Sequence, residues 1–163
     1  MTVTDDLPER SDLDVLGERW TTAFTQGRAF DTCCTGDVTY EDPMARLPVE
    51  GVAALEAHVA ELHAAFPDTL MVPTAPVLER AGHACVPWKL TGTHRGDIAM
   101  LPATDKQVTL HGLHYMELSD GRVRRARGFL DLYDAATQLG LLPQRGGLGE
   151  TALLMLRGFG LRA

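Results

Sequence analysis

The first half of the chain carries its apolar residues at helical spacing. After Ser11, a residue that suits a helix N-cap, apolar positions repeat every three or four residues for about four turns. The same spacing returns over 52–66, and a shorter helix is predicted over 29–34. One strand is predicted between them, over 37–42, where Pro43 ends it. The first half therefore predicts three helices and one strand.

The second half alternates apolar and polar residues, which is the pattern of β-strands. Asp120 and Gly121 favour a hairpin turn, and a short helix is predicted over 132–139. Helices followed by antiparallel strands indicate an α+β fold with the helices on one face of the sheet. A sheet curved over helices leaves a concave, mostly apolar space, where ligand pockets occur. The strands are predicted at 69–78, 83–93, 108–118 and 122–131.

Composition limits the classes of partner. The chain has 163 residues and a mass of 17.7 kDa, which suits one domain. Its formal net charge is −7, so it lacks the basic surface that nucleic acids and anionic membranes attract. No apolar run reaches the roughly 18 residues of a membrane-spanning helix, and the acidic N-terminal stretch lacks the features of a secretory signal. We therefore expect a cytoplasmic protein with a small-molecule ligand, no nucleic acid partner and no membrane partner.

The cysteines and the sequence motifs point to no cofactor. Cys33, Cys34 and Cys85 are an odd number with one adjacent pair, which is no disulfide framework, so reduced thiols are expected. The chain has no HExxH, P-loop, GxGxxG or GxSxG motif. No spacing of His, Cys, Asp or Glu supports a metal site. We therefore expect neither a cofactor nor a bound metal.

Two histidines are predicted to face the concave space. On the second predicted strand of the second half, His94 continues the apolar alternate set that includes Trp88. On the next strand, His114 alternates with Met116 and other apolar residues. Each histidine is therefore either a group that polarises a substrate carbonyl or a hydrogen-bonded core residue.

The last predicted strand carries charged residues on one face. Alternation places Val123, Arg125, Arg127, Phe129 and Asp131 together. Asp131 is either a base, whose pKa burial in an apolar pocket would raise, or the N-cap of the helix that follows. Arg127 either points inward, where it would need an anionic partner, or belongs to a solvated stripe with its arginine neighbours. An inward Arg127 would also stabilise a developing enolate.

Several short motifs occur together in a specific order. In chain order they are Trp20 with Phe24 and Gly27, the stretch Asp37-Val38-Thr39-Tyr40-Glu41-Asp42-Pro43, Gly51, Phe66-Pro67-Asp68, Thr91-Gly92-Thr93-His94-Arg95-Gly96, Asp120-Gly121, Asp131, and Gln138-Leu139-Gly140. In this order, over about residues 15–142, they resemble the SnoaL-like polyketide cyclases. That family belongs to the nuclear transport factor 2-like superfamily.

The resemblance implies a fold and a domain organisation. It implies a cone-shaped α+β barrel, in which a curved antiparallel sheet is cupped over three N-terminal helices. Residues 1–143 would form this single domain. The tail, 144–163, lies outside the resemblance; it is apolar, and we predict that it is helical and packs on the domain or on a partner subunit. Relatives dimerise through the sheet, so a homo-oligomer, a dimer, is expected.

The resemblance also implies a chemistry. The best-known activity of the family is an intramolecular aldol cyclisation of a polyketide ester, which needs no metal, nucleotide or covalent intermediate. We therefore expect a cofactor-independent cyclase of secondary metabolism that acts on an apolar, polyketide-like or polycyclic small molecule by acid/base catalysis. The alternatives are an epoxide hydrolase or an isomerase in the same pocket, or a non-catalytic ligand-binding or dimerisation module.

The resemblance further implies roles for single residues. Asp131 is similar in position to the family's catalytic aspartate, and Asp42 to the general base of the ketosteroid isomerases, distant relatives in the superfamily. His114, His94 or Arg127 would then stabilise an enolate or a carbonyl oxygen. The two histidines of the 52–66 helix, at positions 58 and 63, are expected at its surface or edge. The residues expected to line the cavity are Trp20, Tyr40, Trp88, Met100, Met116 and Phe129.

Overall fold

The computed structural model describes residues 11–98 and 101–156, and within them it contains four α-helices and seven strands. The order of these elements is that of an α+β fold. The helices are α1 (Asp12–Gln26), α2 (Val52–Ala65), α3 (Leu132–Leu139) and α4 (Leu148–Leu156), and a short 3-10 helix covers Phe30–Thr32. The strands are β1 (Cys34–Glu41), β2 (Val49–Glu50), β3 (Leu70–Pro73), β4 (Leu78–Arg80), β5 (His83–Thr93), β6 (Gln107–Ser119) and β7 (Arg122–Leu130).

The first helix, α1, begins and ends where its sequence predicts. The side chain of Ser11 accepts a hydrogen bond from the backbone N–H of Asp14 at 3.1 Å, which satisfies a donor that the first turn leaves free. Gly27 ends the helix in the left-handed conformation, with a φ of 67° that glycine adopts without steric cost. Between these caps, α1 buries Trp20 and Phe24.

The seven strands form one mixed sheet that is curved and not closed. Six of them follow the order β2-β1-β7-β6-β5-β3, and β4 pairs with β5. All pairs are antiparallel except that of β1 with β7, which is parallel. The predicted antiparallel pairing is therefore confirmed for every pair except that of β1 with β7, for which it is wrong. No hairpin joins β1 to β7, so the local turn signals that indicate antiparallel pairing do not apply to this pair.

Two segments differ from their predicted structure in ways that local chemistry explains. The strand predicted over 69–78 is two strands, β3 and β4, because Pro73 and Pro76 lack the N–H group that a continuous ladder needs. The helix predicted over 29–34 is only a 3-10 turn, and β1 begins directly after it. β1 is therefore longer than predicted at its start, and it still ends just before Asp42.

The long strands β5 and β6 direct their predicted residues toward the helices. His94, which directly follows β5, and His114 on β6 are 0% and 1% exposed, as the alternation predicts. The apolar residues of the same faces are also buried: Ala84, Val86, Trp88, Leu90, Val108 and Met116.

The last strand, β7, contains a bulge that shifts part of its predicted face. Arg124 has no partner in the ladder with β6 and is an extra residue there. Val123 before the bulge and Gly128 after it are both buried, although they are five positions apart. Arg127 and Phe129 face away from the core. The prediction that these two residues share a face with Val123 is therefore wrong, because one extra residue reverses the alternation.

The core lies between the first two helices and the concave face of the sheet. Its centre is Trp20, which is 0% exposed. The rings of Phe24, Phe30, Tyr40 and His114 surround it, with centroids between 5.2 and 6.2 Å from that of the indole. Side chains therefore fill this part of the concave space.

The described part of the tail, 144–156, contains the helix α4, which buries none of its residues. Leu153, Leu154, Met155 and Leu156 are exposed and lie on consecutive positions. The packing of the tail on the domain or on a partner subunit stays a prediction. None of the described helices is long and apolar enough to cross a membrane.

Candidate active site

A cavity of about 410 Å³ lies beside the end of β1, and we call it the loop cavity. Its volume is within the range of small-molecule sites, about 300–1,000 Å³. The walls come from the end of β1, from the loop that follows it and from β7. The lining residues are Glu41, Asp42, Pro43, Ala45, Arg46, Leu47, Pro48, Arg127, Gly128 and Phe129.

Asp42 directly follows β1 and accepts four hydrogen bonds. Its Oδ1 atom accepts from the backbone N–H groups of Met44 and Ala45, both at 2.8 Å. Its Oδ2 atom accepts from the hydroxyl of Tyr40 at 3.0 Å and lies 2.9 Å from Nε2 of His58. The carboxylate therefore holds the start of the loop against both β1 and α2.

His58 projects from α2 onto Asp42. The two side chains are 16% and 11% exposed, so the pair is shielded and still within reach of solvent. Burial on its own would raise the pKa of Asp42, but the hydrogen bond and charge of His58 and two backbone N–H groups hold that pKa below its ordinary value of 3.8. The hydrogen bond to Asp42 raises the pKa of His58 above 6.5, although burial opposes this. Asp42 is therefore ionised at neutral pH, and His58 holds its proton more firmly than a free histidine.

The Asp42–His58 pair is suited to holding a proton rather than a metal. Among residues 11–98 and 101–156, no three His, Cys, Asp or Glu side chains are grouped so as to bind a metal ion. A structural or catalytic zinc site requires at least three such ligands. A carboxylate and an imidazole in contact are groups that can serve in general acid/base catalysis.

A chain of hydrogen bonds leads from Asp42 into the core. The Tyr40 hydroxyl lies 3.2 Å from Nε2 of His114, and the indole N–H of Trp20 donates to Nδ1 of His114 at 3.0 Å. Because an indole nitrogen only donates, Nδ1 of His114 is the acceptor and Nε2 carries the proton. The Nε2–H group then donates to Tyr40, whose own hydroxyl donates to Asp42. We call these residues, together with His58, the Asp42 network.

The inner members of this network keep a fixed charge. Burial lowers the pKa of His114 to about 3, although the nearby charge of Asp42 opposes the shift. Burial, and then the charge of Asp42, raise the pKa of Tyr40 well above 10. Both groups are therefore neutral near pH 7. Their contribution is to orient the Asp42 carboxylate, because neither gains or loses a proton in that range.

The network can form because Gly128, on the adjacent strand β7, has no side chain. A Cβ atom at this position would lie 2.9 Å from Oη of Tyr40, 3.2 Å from Cβ of Asp42 and 3.2 Å from Nε2 of His114. These separations are shorter than ordinary contacts between such atoms. Glycine therefore leaves the space in which the three side chains meet, next to the loop cavity.

The family model described as SnoaL-like polyketide cyclase matches residues 11–139, which include the whole Asp42 network. The chain belongs to the SnoaL-like polyketide cyclase family. Membership supports a general role of the cyclase or isomerase type. No curated protein matches the chain.

Solved structures share the fold of this SnoaL-like protein at low sequence identity. TsrD from Streptomyces laurentii has a TM-score of 0.71 and 20% identity, over 83% of this chain and 100% of that one. A SnoaL-like protein from Jannaschia sp. CCS1 has a TM-score of 0.67 and 22% identity, over 85% and 100%. A hypothetical protein with a ketosteroid isomerase-like fold from Catenulispora acidiphila has a TM-score of 0.64 and 16% identity, over 76% and 90%. The cone-shaped α+β fold is therefore confirmed.

In this SnoaL-like protein, Asp131 lies at a strand end but has an exposed side chain. Its carboxylate accepts a hydrogen bond from the backbone N–H of Asp134 at 2.9 Å and thereby caps α3. Of the two interpretations of Asp131, the structure thus shows the helix cap. The residue does not line the loop cavity. The expectation that Asp131 faces an apolar pocket is therefore wrong.

Arg127 and Phe129 border the loop cavity from the outer face of β7. The guanidinium of Arg127 lies 5.6 Å from the centre of the Phe129 ring, and 48% of Phe129 is exposed. Of the two orientations open to Arg127, the structure shows the outward one. Both residues nevertheless lie at the cavity that Asp42 also lines.

Four residues that were expected to line a pocket are core residues instead. Trp20, Tyr40, Trp88 and Met116 are at most 3% exposed, and none of them lines the loop cavity. Tyr40 reaches the site only through its hydroxyl, by the hydrogen bond to Asp42. Met100, the remaining member of that prediction, lies outside the described residues.

His94 is buried outside the Asp42 network. Its Nδ1 atom accepts from the backbone N–H of Thr104 at 3.2 Å, and its ring lies 5.3 Å from that of Phe66. No described residue forms a hydrogen bond with its Nε2 atom. Of the two interpretations of the buried histidines, the hydrogen-bonded core residue describes His94. His114 is also a core residue, but it contacts the candidate site through Tyr40.

His58 is the residue of the site that sequence reasoning missed. The alternation of apolar residues and the family resemblance both indicate candidate residues on or beside strands, whereas His58 lies on the helix α2. It is three positions after Leu55 and four before Leu62, two positions on the apolar face, so it lies at the edge of that face. A histidine at the edge of a buried helix face is the pattern that could have identified it.

Proposed function

We propose that this protein is a cofactor-independent acid/base catalyst that enolises a polyketide-like ketone and closes a ring by aldol addition. The observation that carries the proposal is the Asp42–His58 pair, with 2.9 Å between carboxylate and imidazole, in which Asp42 lines the loop cavity and His58 lies directly behind it. Family membership supports a cyclase. We assign the acid/base role to this pair rather than to Asp131, because Asp131 is exposed and caps a helix.

Within the pair, we assign the base to His58. Asp42 accepts four hydrogen bonds, which stabilise the carboxylate and weaken it as a base. His58 points Nε2 at Asp42, and no described residue forms a hydrogen bond with its Nδ1 atom. Neutral His58 can therefore take a proton at Nδ1, while Asp42 orients the ring and stabilises the imidazolium that results.

The proposed reaction conserves all atoms of the substrate. His58 removes a proton from the carbon next to a carbonyl, and the electron pair of the C–H bond moves to form an enolate. The enolate carbon attacks a second carbonyl of the same molecule, which forms the new C–C bond and an alkoxide. The imidazolium returns the proton to the alkoxide.

Hydrogen exchange at carbon tests the enolisation step without the natural substrate. The probes are 1-tetralone-4-carboxylic acid and its methyl ester, each of which carries a CH₂ group next to a ketone. Exchange of this group in D₂O is followed by proton NMR. We expect the wild-type protein to accelerate the exchange of at least one probe above the buffer rate.

Variants then locate the base. His58→Gln is expected to lower the exchange rate by about 10²- to 10⁴-fold, the usual contribution of a general base. Asp42→Asn also lowers it, because the amide no longer stabilises the imidazolium. Asp131→Asn is the matched control, since asparagine also caps helices, and it keeps the wild-type rate. Wild-type exchange in a folded His58→Gln variant, or its loss only in Asp131→Asn, would overturn the assignment.

Ligand binding without turnover is the second candidate function. The observation that favours it is the packing of Trp20 and Trp88, which fill part of the concave space with side chains. In that case the wild-type protein binds a probe but leaves its exchange at the buffer rate. The same NMR samples therefore distinguish the two candidates.

A further inference from the structure

The loop cavity has an excess of positive charge, because its carboxylates form ion pairs and its arginines do not. Two carboxylates line it, and each has a partner. Glu41 pairs with Arg125 at 3.0 Å, and Asp42 with His58 at 2.9 Å. Arg46 and Arg127 also line the cavity, and neither forms an ion pair with any residue that the structure describes. While His58 is protonated, the cavity therefore presents two uncompensated cations.

These two cations come from two different elements. Arg46 belongs to the loop after β1, and Arg127 to the outer face of β7. The guanidinium of Arg127 lies over the ring of Phe129 at 5.6 Å, which restricts its position. A planar guanidinium donates two parallel hydrogen bonds to a carboxylate, which an ester cannot accept with the same strength.

The remaining walls of the cavity are apolar. Leu47 and Pro48 lie in the loop, and Phe129 lies on β7. Such walls suit a ring system rather than a small polar anion. The lining thus combines an apolar surface with two cations.

From this lining we infer that the ligand of the loop cavity is an acid, namely an aromatic or polycyclic ring system with a carboxylate that Arg46 and Arg127 bind. The inference rests on the site of the proposed function and names its substrate class. It concerns the charge of the ligand before reaction, whereas the acid/base proposal concerns proton transfer. The chain carries a net charge of −7, so an acidic ligand needs local cations to overcome the overall repulsion.

The experiment compares the binding of 1-tetralone-4-carboxylic acid with that of its methyl ester. Dissociation constants are measured by calorimetry for the wild-type protein and for three variants. Arg46→Gln and Arg127→Gln each remove one cation from the cavity. Arg124→Gln is the matched control, because Arg124 lies on the same strand and pairs with Glu117 at 3.1 Å, outside the cavity lining.

We expect the acid to bind about tenfold more tightly than the ester at low salt. Each cavity variant should weaken acid binding about three- to tenfold and leave ester binding unchanged. Arg124→Gln should change neither. Raising the salt concentration to about 0.5 M should weaken the binding of the acid and not of the ester, because ions screen exposed charges. Equal binding of acid and ester, or an effect of Arg124→Gln as large as that of Arg127→Gln, would overturn the inference.

Asp42→Asn separates this inference from the proposed function. The variant loses a negative charge next to the cations, so acid binding should be kept or become tighter, while hydrogen exchange falls. Arginine-dependent acid binding by a wild-type protein that exchanges no hydrogen would contradict the catalytic proposal and support the charge inference. Hydrogen exchange by a protein that binds the acid no more tightly than the ester would support the catalytic proposal and contradict the charge inference.

Discussion

Replacing Gly128 by alanine tests whether the Asp42 network depends on the space that this glycine leaves. The new Cβ atom would lie 2.9 Å from Oη of Tyr40 and 3.2 Å from Nε2 of His114. Tyr40 is 2% exposed and bonded at its hydroxyl to two groups, so it cannot move aside freely. Overpacking of this kind costs about 1–3 kcal/mol.

A lower conformational entropy of the unfolded chain offsets part of this free-energy cost. Gly128 does not have a positive φ, so alanine can adopt its backbone conformation. A glycine-to-alanine change then lowers the entropy of the unfolded chain, which stabilises the fold by about 0.4–1 kcal/mol. The net expectation is a loss of up to about 2.6 kcal/mol in the free energy of unfolding, together with a lower rate of hydrogen exchange from the probe.

The assay is urea unfolding, with Gly36→Ala as the matched control. Gly36 lies on the neighbouring strand β1, and an added Cβ atom there would meet nothing within 4 Å. Its replacement should therefore leave stability unchanged or raise it slightly. If Gly128→Ala is as stable as Gly36→Ala and exchanges probe hydrogen at the wild-type rate, the packing argument for the network is refuted.

Three further predictions concern the titrating groups and the helix cap. In NMR titrations, the His58 pKa should lie above 6.5 and fall in Asp42→Asn, whereas His114 should stay neutral between pH 5 and 8; an unchanged His58 pKa would argue against the pair. Because the folded-state pKa of His58 is raised, its pairing stabilises the fold below pH 6.5, and this contribution is lost as the pH rises through that pKa. The difference in urea midpoint between the wild type and Asp42→Asn should therefore become smaller as the pH rises through that pKa. Asp131→Ala should lower stability by about 1 kcal/mol through loss of the α3 cap and leave probe exchange intact, as thermal melts and NMR would show.

The parts of the fold that follow from local patterns could be predicted from the sequence. The alternation along β5 and β6 predicted the burial of His94 and His114, and the cap and the glycine predicted both ends of α1. In each case the cause lies within a few residues of its effect. Side-chain alternation and capping hydrogen bonds need no information from elsewhere in the chain.

The candidate site depends on contacts that no local pattern reveals. The bulge at Arg124 reverses the side-chain alternation in the part of β7 that follows it. The pairing of β1 with β7 brings Gly128 next to Tyr40 and Asp42. His58 reaches Asp42 across 16 positions of sequence, through a loop whose path is set by two backbone hydrogen bonds. The resemblance indicates Asp42 as a candidate base, but the partner of Asp42 follows only from the packing of α2.

The pH dependence of probe exchange tests the assignment of the acid/base pair most directly. The rate is measured from about pH 5 to pH 9 for the wild type and for Asp42→Asn. We predict that the wild-type rate rises with pH through a midpoint above 6.5, where His58 loses its proton, and that this midpoint moves to lower pH in Asp42→Asn, with a lower maximum. A wild-type rate equal to that of buffer at every pH, or a midpoint that Asp42→Asn leaves in place, would contradict the assignment.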